Sequence, residues 1–546
     1  MTSNRMPVRA SLRGSVSAAA LFVSGAALAL IASPAFAGQL DDLKAQIDQL
    51  QSQLDQLEQQ KAATAPVADT SAPVTDPTAS DDQSKKSRVT KAGIDAITPG
   101  VADAVVGGDI PRSFKLPGSD TSMSIKTLIK ADFIYDFDQS LGDSAGWPFA
   151  TKKGVVQGSG QSQNRTNQFR FESRFSRLTF ETRTPTDYGP LTTFIDADFW
   201  GAAEGPGALA GSGGFGNAFV TNSYLFELRD AFATLGPILV GQFISNTVDG
   251  EAFGEVLDHF GPPGEFVTVQ AQVRYTQNWG KWTGSVSAEN PQSDYTASMT
   301  SHGGTLAATG GGCFLAGTYG SCNSFDQVPD LTAAINYSDS WGHLKLAGLL
   351  RHIGFNSGIA GGAGTVASPF YGKIDEGTWG GGGILSGHVN LGSIAPFFGN
   401  DTFGGQGYYG TGIGRYVVFA GGLYNSAILK LTTNAAGTVV TRADLDTSTE
   451  YGGFVWYQHN WTDTLRSTLD FGIGRSRPSA STVPSETLQA DLVWAGYANL
   501  LWSPLKQTTF GLEFMWGHKD FRSVGTGGPG GSVDLRRLMA EMIFSF

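Results

Sequence analysis

Charged side chains recur at every second position within apolar segments of this sequence. In "NQFRFESRFSRLTFETR" (167–183), Arg170, Glu172 and Arg174 alternate with phenylalanines, and the alternation resumes at Arg177 after a phase shift at Ser176. Successive side chains of a strand point to opposite faces, so these segments predict strands with one charged and one apolar face. The charged face also includes Lys126, Lys130, Asp132, Glu181, Arg183, Asp196, Asp198, Glu227, Arg229, Arg274, Arg351, Arg466 and Asp470.

In a bilayer, the apolar face of such strands points to lipid, because a charge at the lipid midplane costs about 2–4 kcal/mol. The charged face would then line a water-filled lumen, where arginines can bind carboxylates bidentately. An alternative is that many of these charges pair with one another in ion networks. We predict wall positions of the pore at Lys130, Arg170, Glu172, Arg174, Arg177, Asp196, Asp198, Arg229 and Arg274.

An acidic segment, "SNTVDGEAFGEVLDHFGPPGEF" (245–266), follows the fifth predicted strand and contains no Lys or Arg. If it folds into the barrel, its acids face the wall arginines, and the transverse field orients dipolar or anionic solutes. The alternative is an exposed acidic loop. The constriction would then include Asp249, Glu251, Glu255 and Asp258, with Glu265 close by.

The sequence lacks the motifs of an enzyme. It has neither an H-E-x-x-H motif nor a P-loop, its glycine patches lack a strand-to-helix context, and nothing marks His459 and Ser467 as a catalytic pair. We therefore predict no catalysis, no cofactor and no metal site. Cys313 and Cys322, nine positions apart in an exported chain, predict a local disulfide that stiffens a loop.

The connections between the predicted strands alternate in length. Tight turns such as "YGP" (188–190) and "WTDT" (461–464) alternate with long loops rich in Gly, Ser and Asn. This pattern is typical of a transmembrane antiparallel β-barrel, and a soluble sandwich would expose too much apolar surface. The fold class is all-β. With both ends on the short-turn side the number of strands is even, and about 16 are predicted, with 18 as the alternative.

The predicted strands lie near 123–137, 167–183, 191–200, 222–235, 238–245, 267–279, 281–290, 328–338, 341–354, 448–461, 463–475, 487–503, 507–520 and 533–546, whereas 376–425 is too glycine-rich to divide.

Composition and the N-terminus indicate export. Charged residues are only 16 %, and the mean hydropathy of −0.10 argues against a helical membrane protein. Residues 1–37 combine a basic start, an apolar stretch and an A-x-A site, and thus predict a signal peptide; the alternative is a retained anchor helix. Its removal takes three of 37 basic residues and leaves 34 against 49 acids, a net charge of −15, which disfavours nucleic acid as a partner.

The segment 38–60 predicts a periplasmic coiled coil, followed by a flexible linker (61–110) and the barrel domain (111–546). An exposed leucine stripe implies oligomerisation, although the helix could instead pack on the body, and the choice between dimer and trimer stays open. Its heptad seam consists of Leu40, Leu43, Ile47, Leu50, Leu54 and Leu57.

The chain ends on "LMAEMIFSF", a strand pattern with Phe546 last. Leu538, Ala540, Met542 and Phe544 share its face, which predicts a closing strand paired with "MSIKTLIKADFIYDF" and no open edge in lipid. Phe546 resembles the signal by which barrels are recognised for insertion, so the barrel-assembly machinery is an expected partner.

Several segments together resemble DcaP-like trimeric porins: "GDIPRSFKLPGSDTSMSIKTLIKADFIYDF", "SRLTFETRTPTDYGPLTTFIDADFWG", "FELRDAFATLGPILVGQFIS" and "YQHNWTDTLRSTLDFGIGR". The resemblance covers about 39–546. It implies a 16-stranded trimeric outer-membrane porin with a periplasmic coiled coil that passes small, often negatively charged solutes such as dicarboxylates. By motif, it places Arg177, Asp196, Asp198, Arg229 and Arg274 near the constriction.

The sequence thus predicts passive diffusion of small hydrophilic, anionic solutes through a homotrimer in the outer membrane. One alternative is a porin selective for sugars or other nutrients, given the abundant aromatic residues. Another is a structural or adhesive barrel that ties the envelope together through the coiled coil.

Overall fold

The computed structural model describes residues 107–138, 166–201, 225–259, 261–300, 324–356, 363–365, 368–371, 374–420, 426–434, 440–477, 490–521 and 531–546. The predicted signal peptide, coiled coil and most of the linker lie outside these residues, as does the predicted Cys313–Cys322 disulfide. All described residues belong to the compact unit 89–546. Among them, no helix is both long and apolar enough to cross a membrane.

The described strands are β1 (Ser113–Lys115), β2 (Ser122–Asp136), β3 (Gln168–Glu172), β4 (Arg177–Thr184), β5 (Leu191–Gly201), β6 (Leu225–Leu235), β7 (Ile238–Ile244), β8 (Val269–Trp279), β9 (Trp282–Glu289), β10 (Tyr295–Thr300), β11 (Asp330–Asp339), β12 (Gly342–Asn356), β13 (Ala363–Thr365), β14 (Ser368–Tyr371), β15 (Asp375–Asn390), β16 (Thr402–Thr411), β17 (Ala427–Thr433), β18 (Val440–Thr447), β19 (Thr449–Asn460), β20 (Leu465–Arg477), β21 (Ala490–Leu505), β22 (Thr508–Phe521) and β23 (Gly531–Ser545). Short 3₁₀ helices cover Gly250–Ala252, Leu391–Ser393, Pro396–Phe398 and Gly414–Ala420.

The main sheet closes into an antiparallel barrel of 16 strands, which confirms the predicted fold class and count. The sheet contains 18 strand segments, because β1 is a short addition beside β2 and because β3 and β4 form one interrupted strand. Closure comes from the pairing of β2 with β23, in register from Leu128↔Ser545 to Asp136↔Arg537. Every spanning strand therefore has two neighbours, as a bilayer requires.

The interruption between β3 and β4 explains the phase shift in the sequence. Asp132 pairs with Glu172 and Leu128 pairs with Arg177, so the interrupted strand contains one residue more than β2 over this stretch. The Ser176 hydroxyl accepts from the Lys130 amide (3.1 Å) and donates to the Lys130 carbonyl (3.3 Å), in place of ladder bonds. The charged residues on both sides of the break consequently remain on the same face of the sheet.

The two faces of the barrel differ as the period-2 pattern predicts. On β2, Ile125 and Ile129 are exposed on the outside, whereas Asp132, Ile134 and Asp136 are buried inside. Other exposed outward residues along the strands are aliphatic, such as Val286 and Leu346, or aromatic, such as Phe171. Tryptophans stand at the short-turn ends, as in the aromatic girdles of membrane barrels: Trp279, Trp282, Trp461 and Trp502.

The glycine-rich stretch that the sequence could not divide forms β15 and β16, paired from Gly381↔Thr411 to Asn390↔Thr402. Their connection, 391–401, contains two of the 3₁₀ helices and is longer than the other connections at its end of the barrel.

A second, five-stranded sheet has the order β10-β17-β18-β14-β13 and was not predicted. Its strands come from three long connections, those between β9 and β11, β12 and β15, and β16 and β19. Tyr295, Leu429 and Leu445 of this sheet form a small core with Ile353 and Phe355 of β12.

The last residue takes part in the closing seam. The Phe546 amide donates to the Thr127 carbonyl (2.9 Å), and the Thr127 amide donates to the Phe546 carbonyl (3.3 Å). On β23, Leu538 and Met542 are exposed outside, whereas Arg537 and Met539 are buried. Whether Phe546 acts as an insertion signal stays a prediction.

Candidate functional site: a loop across the lumen

The connection between β7 and β8 folds back into the barrel; we call residues 245–268 the inward loop. Its base is closed by the Ser245 amide, which donates to the Thr268 carbonyl (2.9 Å). The Asn246 amide donates to Glu289 (2.9 Å), and its side chain donates to Thr332 (3.0 Å). These buried polar contacts fix the direction in which the loop leaves the wall. As predicted, it follows the fifth barrel strand.

Wall side chains satisfy the backbone of the inward loop. Glu513 on β22 accepts from the Leu257 amide (2.9 Å) and the Asp258 amide (3.2 Å). Trp456 on β19 donates to the Ala252 carbonyl, and Asn499 on β21 donates to the Glu255 carbonyl; both hydrogen bonds are 2.6 Å long. An irregular backbone at membrane depth needs such partners, because no bulk water replaces them there.

The predicted acids of the loop contact the wall directly. Asp258 lies 3.1 Å from the Arg537 guanidinium, and Glu255 accepts two hydrogen bonds from Arg466. Asp249 accepts from His343 (2.8 Å). Burial opposes ionisation of Asp249, but the hydrogen bonds from His343 and Ser386 outweigh it, so its pKa lies below the ordinary value.

The tip of the loop reaches the opposite wall at His259. Its Nε2 lies 3.3 Å from Nη2 of Arg229, and its ring lies 4.0 Å from the Phe175 ring, centroid to centroid. Burial and the nearby cations Arg229, Lys130 and Arg177 hold the pKa of His259 well below its ordinary value. Three cations thus converge on the point where the loop meets the wall.

A bulge in β6 increases the number of charges at this point. Asp196 pairs with Asp230 and Ala197 pairs with Leu228, so Arg229 is an extra residue in its strand. The extra residue of a bulge lets two consecutive residues of a strand point to the same face. Leu228 is exposed outside, whereas Arg229, the extra residue, contacts the loop tip.

The predicted wall charges on β4–β6 form ion pairs with one another. Nη1 of Arg229 lies 2.6 Å from Asp198, and Nη1 of Arg177 lies 3.6 Å from Asp196. The Arg177 side chain nevertheless stays 34 % exposed. This wall therefore combines ion-paired charges with one partly exposed arginine.

The remaining predicted wall residues lie beside the loop or near its base. Lys130 contacts Glu541 (3.0 Å) and donates to the Leu257 carbonyl (3.2 Å). Arg170 pairs with Asp136, and Arg174 lies 3.8 Å from Glu172. Arg274 donates to Gln272 (2.9 Å) and to the Ile244 carbonyl, and lies over the Phe243 ring.

Sequence reasoning missed three parts of the site. His259 and Arg537 were not singled out, although one lies within the acidic segment and the other within the closing strand. A group of Glu251, His343 and His388 comes from the loop, β12 and β15. An aromatic row of Phe194, Phe232 and Phe243 has centroid separations of 5.3 and 4.5 Å. Each depends on strand pairing and loop path rather than on local spacing.

A family model described as a porin subfamily matches residues 113–526, which is more than half of the chain. The chain belongs to this porin subfamily. No curated protein sequence matches the porin. The family and the closed barrel assign it to the outer membrane as a channel protein.

A solved structure shows the same fold. The outer-membrane channel DcaP of Acinetobacter baumannii aligns with a TM-score of 0.53 at 17 % identity, over 78 % of this chain and 97 % of that one. This match agrees with the DcaP-like resemblance seen in the sequence. Outer-membrane expressed OmpT of Vibrio cholerae (TM-score 0.43, 9 % identity, 79 % and 99 % covered) and an anion-selective porin from Comamonas acidovorans (0.41, 9 %, 78 % and 100 %) are more distant.

Proposed function

We propose that this porin is a passive diffusion channel for small hydrophilic anions of the dicarboxylate class. The observation that carries the proposal is the convergence of Lys130, Arg177 and Arg229 on the loop tip at His259. A solute that passes the loop tip meets these cations, of which Arg177 is the most exposed. Arginine binds carboxylates bidentately, so a solute with two carboxylates could exchange between neighbouring guanidinium groups.

The acids of the inward loop pair with other cations, so the acids that pair with Arg177 and Arg229 are Asp196 and Asp198 of the same wall. Asp258 pairs with Arg537 and Glu255 with Arg466, both on strands of the other wall. Glu251 is the exception, with a side chain that is 75 % exposed. We infer a transverse field that runs from the Arg177–Arg229 wall towards the loop, as the sequence predicts.

The assembly proposal is a homotrimer whose barrels enter the membrane through the barrel-assembly machinery. The heptad seam of 38–60 and the resemblance to trimeric porins support it, and a trimer on a native gel that is weakened by removal of 39–60 is the expected result. An unweakened trimer would show that the helix is dispensable.

Planar-bilayer recording of the purified mature protein tests the channel proposal. We expect three equal closing steps and a reversal potential, in a KCl gradient, of the sign that chloride permeation gives. Cation selectivity would contradict the anionic assignment. The absence of conductance would favour the structural or adhesive barrel instead.

A sugar- or nutrient-selective porin is a second candidate, and the row of Phe194, Phe232 and Phe243 favours it. Aromatic faces on an inner wall can stack on the apolar face of a sugar ring. Solute flux into liposomes separates the two candidates: faster entry of succinate than of a sugar of similar size supports the anion channel, and the reverse order supports the sugar channel.

A further inference from the structure

The 3₁₀ turn Gly250–Ala252 brings a loop carboxylate next to two wall histidines. Among the described residues, Glu251, His343 and His388 form one group in which a ligand atom from each lies within 4.8 Å of the others. His343 belongs to β12 and His388 to β15, and the two residues are directly paired in the sheet. Their rings lie 4.6 Å apart, centroid to centroid, and nearly perpendicular.

The hydrogen bonds around His343 fix which of its nitrogens carries the proton. Nε2 lies 2.8 Å from Asp249, whose carboxylate also accepts from Ser386 (2.7 Å). Because a carboxylate only accepts, Nε2 donates, and in the neutral ring Nδ1 is left with a lone pair. The side chain of His343 is only 3 % exposed, and Nδ1 has no hydrogen-bond partner in the described structure.

The lone pair of Nδ1 lies opposite another acceptor. Nδ1 is 3.5 Å from Oε2 of Glu251, so with a neutral ring two acceptors face each other across a gap that a cation can fill. Nδ1 of His388 lies 3.1 Å from the Glu251 carbonyl and must donate to it, which leaves Nε2 of that neutral ring as an acceptor as well. A ligand atom of each of these three residues lies within 4.8 Å of the others, so one cation can be shared by Nδ1 of His343, the Glu251 carboxylate and a ring nitrogen of His388.

We propose that Glu251, His343 and His388 bind a divalent transition cation of the zinc class. Two imidazole nitrogens and one carboxylate are an ordinary zinc ligand set. Ligand atoms about 2.0–2.1 Å from a tetrahedral zinc ion lie about 3.3 Å apart, close to the distance between Nδ1 of His343 and Oε2 of Glu251. Asp249 is the positioning residue, since it orients the His343 ring as outer carboxylates do in zinc sites.

The surroundings permit such an ion and leave it accessible. Asp249 and Glu251 supply two negative charges. The nearby Lys345, which donates to the Val248 carbonyl, supplies one positive charge. The Glu251 side chain is mostly exposed, so it can move towards the histidines. Three protein ligands leave a fourth position for water or for a carboxylate solute from the lumen.

Metal binding by the full mature protein, purified without a polyhistidine tag and treated with EDTA, tests this site. After dialysis against ZnCl₂, we expect about one more zinc per chain in the wild type than in Glu251→Gln or His388→Gln. Each variant should weaken binding at least tenfold, because loss of an outer partner alone costs about 10–100-fold. Asp249→Asn should weaken it by about tenfold.

Glu255→Gln is the matched control, since it removes a carboxylate from the same loop but not from the site. We expect it to bind zinc as the wild type does. The visible spectrum of bound Co²⁺, which takes the same ligands, should change in His388→Gln but not in this control. Equal zinc binding by the wild type and Glu251→Gln would overturn the site and leave a loop held by hydrogen bonds only.

A bilayer recording shows what the ion does to transport. Micromolar Zn²⁺ should lower the permeability of K⁺ relative to Cl⁻, EDTA should reverse this, and Glu251→Gln should not respond. A wild type whose selectivity ignores Zn²⁺ would overturn the placement of the ion in the lumen. Zinc binding itself is measured without transport, so its result stands whichever solute the channel passes.

Discussion

The two sides of the lumen use polar side chains differently. On the covered wall, formed by β12, β15, β16 and β19–β23, side chains hold the inward loop: Glu513, Asn499 and Trp456 bind its backbone. On the open wall, formed by β4–β7, the loop is met at its tip by Arg229, and the charges pair with one another.

This difference follows from what each wall faces. A buried loop backbone needs fixed donors and acceptors, because an unsatisfied buried group costs about 1–3 kcal/mol. On the open wall the buried Asp196 and Asp198 are neutralised by the arginines that they pair with, and the partly exposed Arg177 can act on passing solutes. We therefore propose that the covered wall sets the width of the passage and the open wall its charge preference.

The strongest test of the covered wall is Gly264→Ala. Gly264 has φ +93°, and a Cβ there would lie 2.2 Å from the Gly453 carbonyl oxygen. Left-handed backbone and overpacking together should cost about 3 kcal/mol. Amide exchange of 260–268 should become more than 100-fold faster, as measured by mass spectrometry. Gly250→Ala, with nothing within 4 Å of the added Cβ, is the control; equal exchange in both variants would contradict the docked path.

Glu513→Ala should be the next largest change. It leaves the Leu257 and Asp258 amides without their acceptor, at about 1–3 kcal/mol each. We expect faster amide exchange at 255–259 and a noisier, larger conductance as the loop detaches. Glu513→Gln keeps one acceptor oxygen and should give an intermediate result. Unchanged exchange in the alanine variant would show that other contacts hold the loop.

Arg177→Gln tests the open wall. One unit charge about 5 Å away in water contributes about 0.8 kcal/mol, with opposite signs for the two ions, so chloride permeability should fall and potassium permeability rise about fourfold each. The chloride-to-potassium permeability ratio should then fall about 16-fold at low salt. Reversal potentials measure this ratio, and the effect should shrink as salt rises. Lys281→Gln, a cation in a turn between β8 and β9, should leave the ratio unchanged. A wild-type ratio in Arg177→Gln would remove this arginine from the passage.

The smallest effect concerns pH and Glu265 in the inward loop. Burial, together with Asp470 and Asp258, raises the pKa of Glu265 well above its ordinary value. Below about pH 4 Glu265 is protonated in both the docked and the undocked loop, and as pH rises it ionises readily only in the undocked loop. Docking should therefore weaken with rising pH in the wild type but less in Glu265→Gln. Loop proteolysis from pH 4 to 8 measures this; parallel curves would contradict it.

Much of the barrel could be predicted because its signal is local. Period-2 alternation placed β5, β8 and β22 within a few residues, and the phase shift at Ser176 coincides with the break between β3 and β4. The alternation fails at β15 and β16, since glycine shows no preference for either face. The alternation also does not predict the bulge at Arg229, because an inserted charged residue has the same sequence pattern as a charged residue of a regular strand.

The rest depends on contacts between distant residues. Asp249 meets His343 across 94 positions, and Trp456 meets Ala252 across 204. No spacing rule connects such residues, so the path of the loop along the covered wall had to come from the structure. The acidic composition of 245–266 favoured an inward loop, with an exposed loop as the alternative, but did not indicate which wall residue receives each acid.

The five-stranded second sheet has an evolutionary consequence. β10 pairs in parallel with β17, and β14 pairs with β18, so loops from three separate connections share hydrogen bonds. A change of length in one of them would leave a partner strand with unpaired backbone groups. Natural variation should therefore alter these three loops together, as one inherited surface, rather than one at a time.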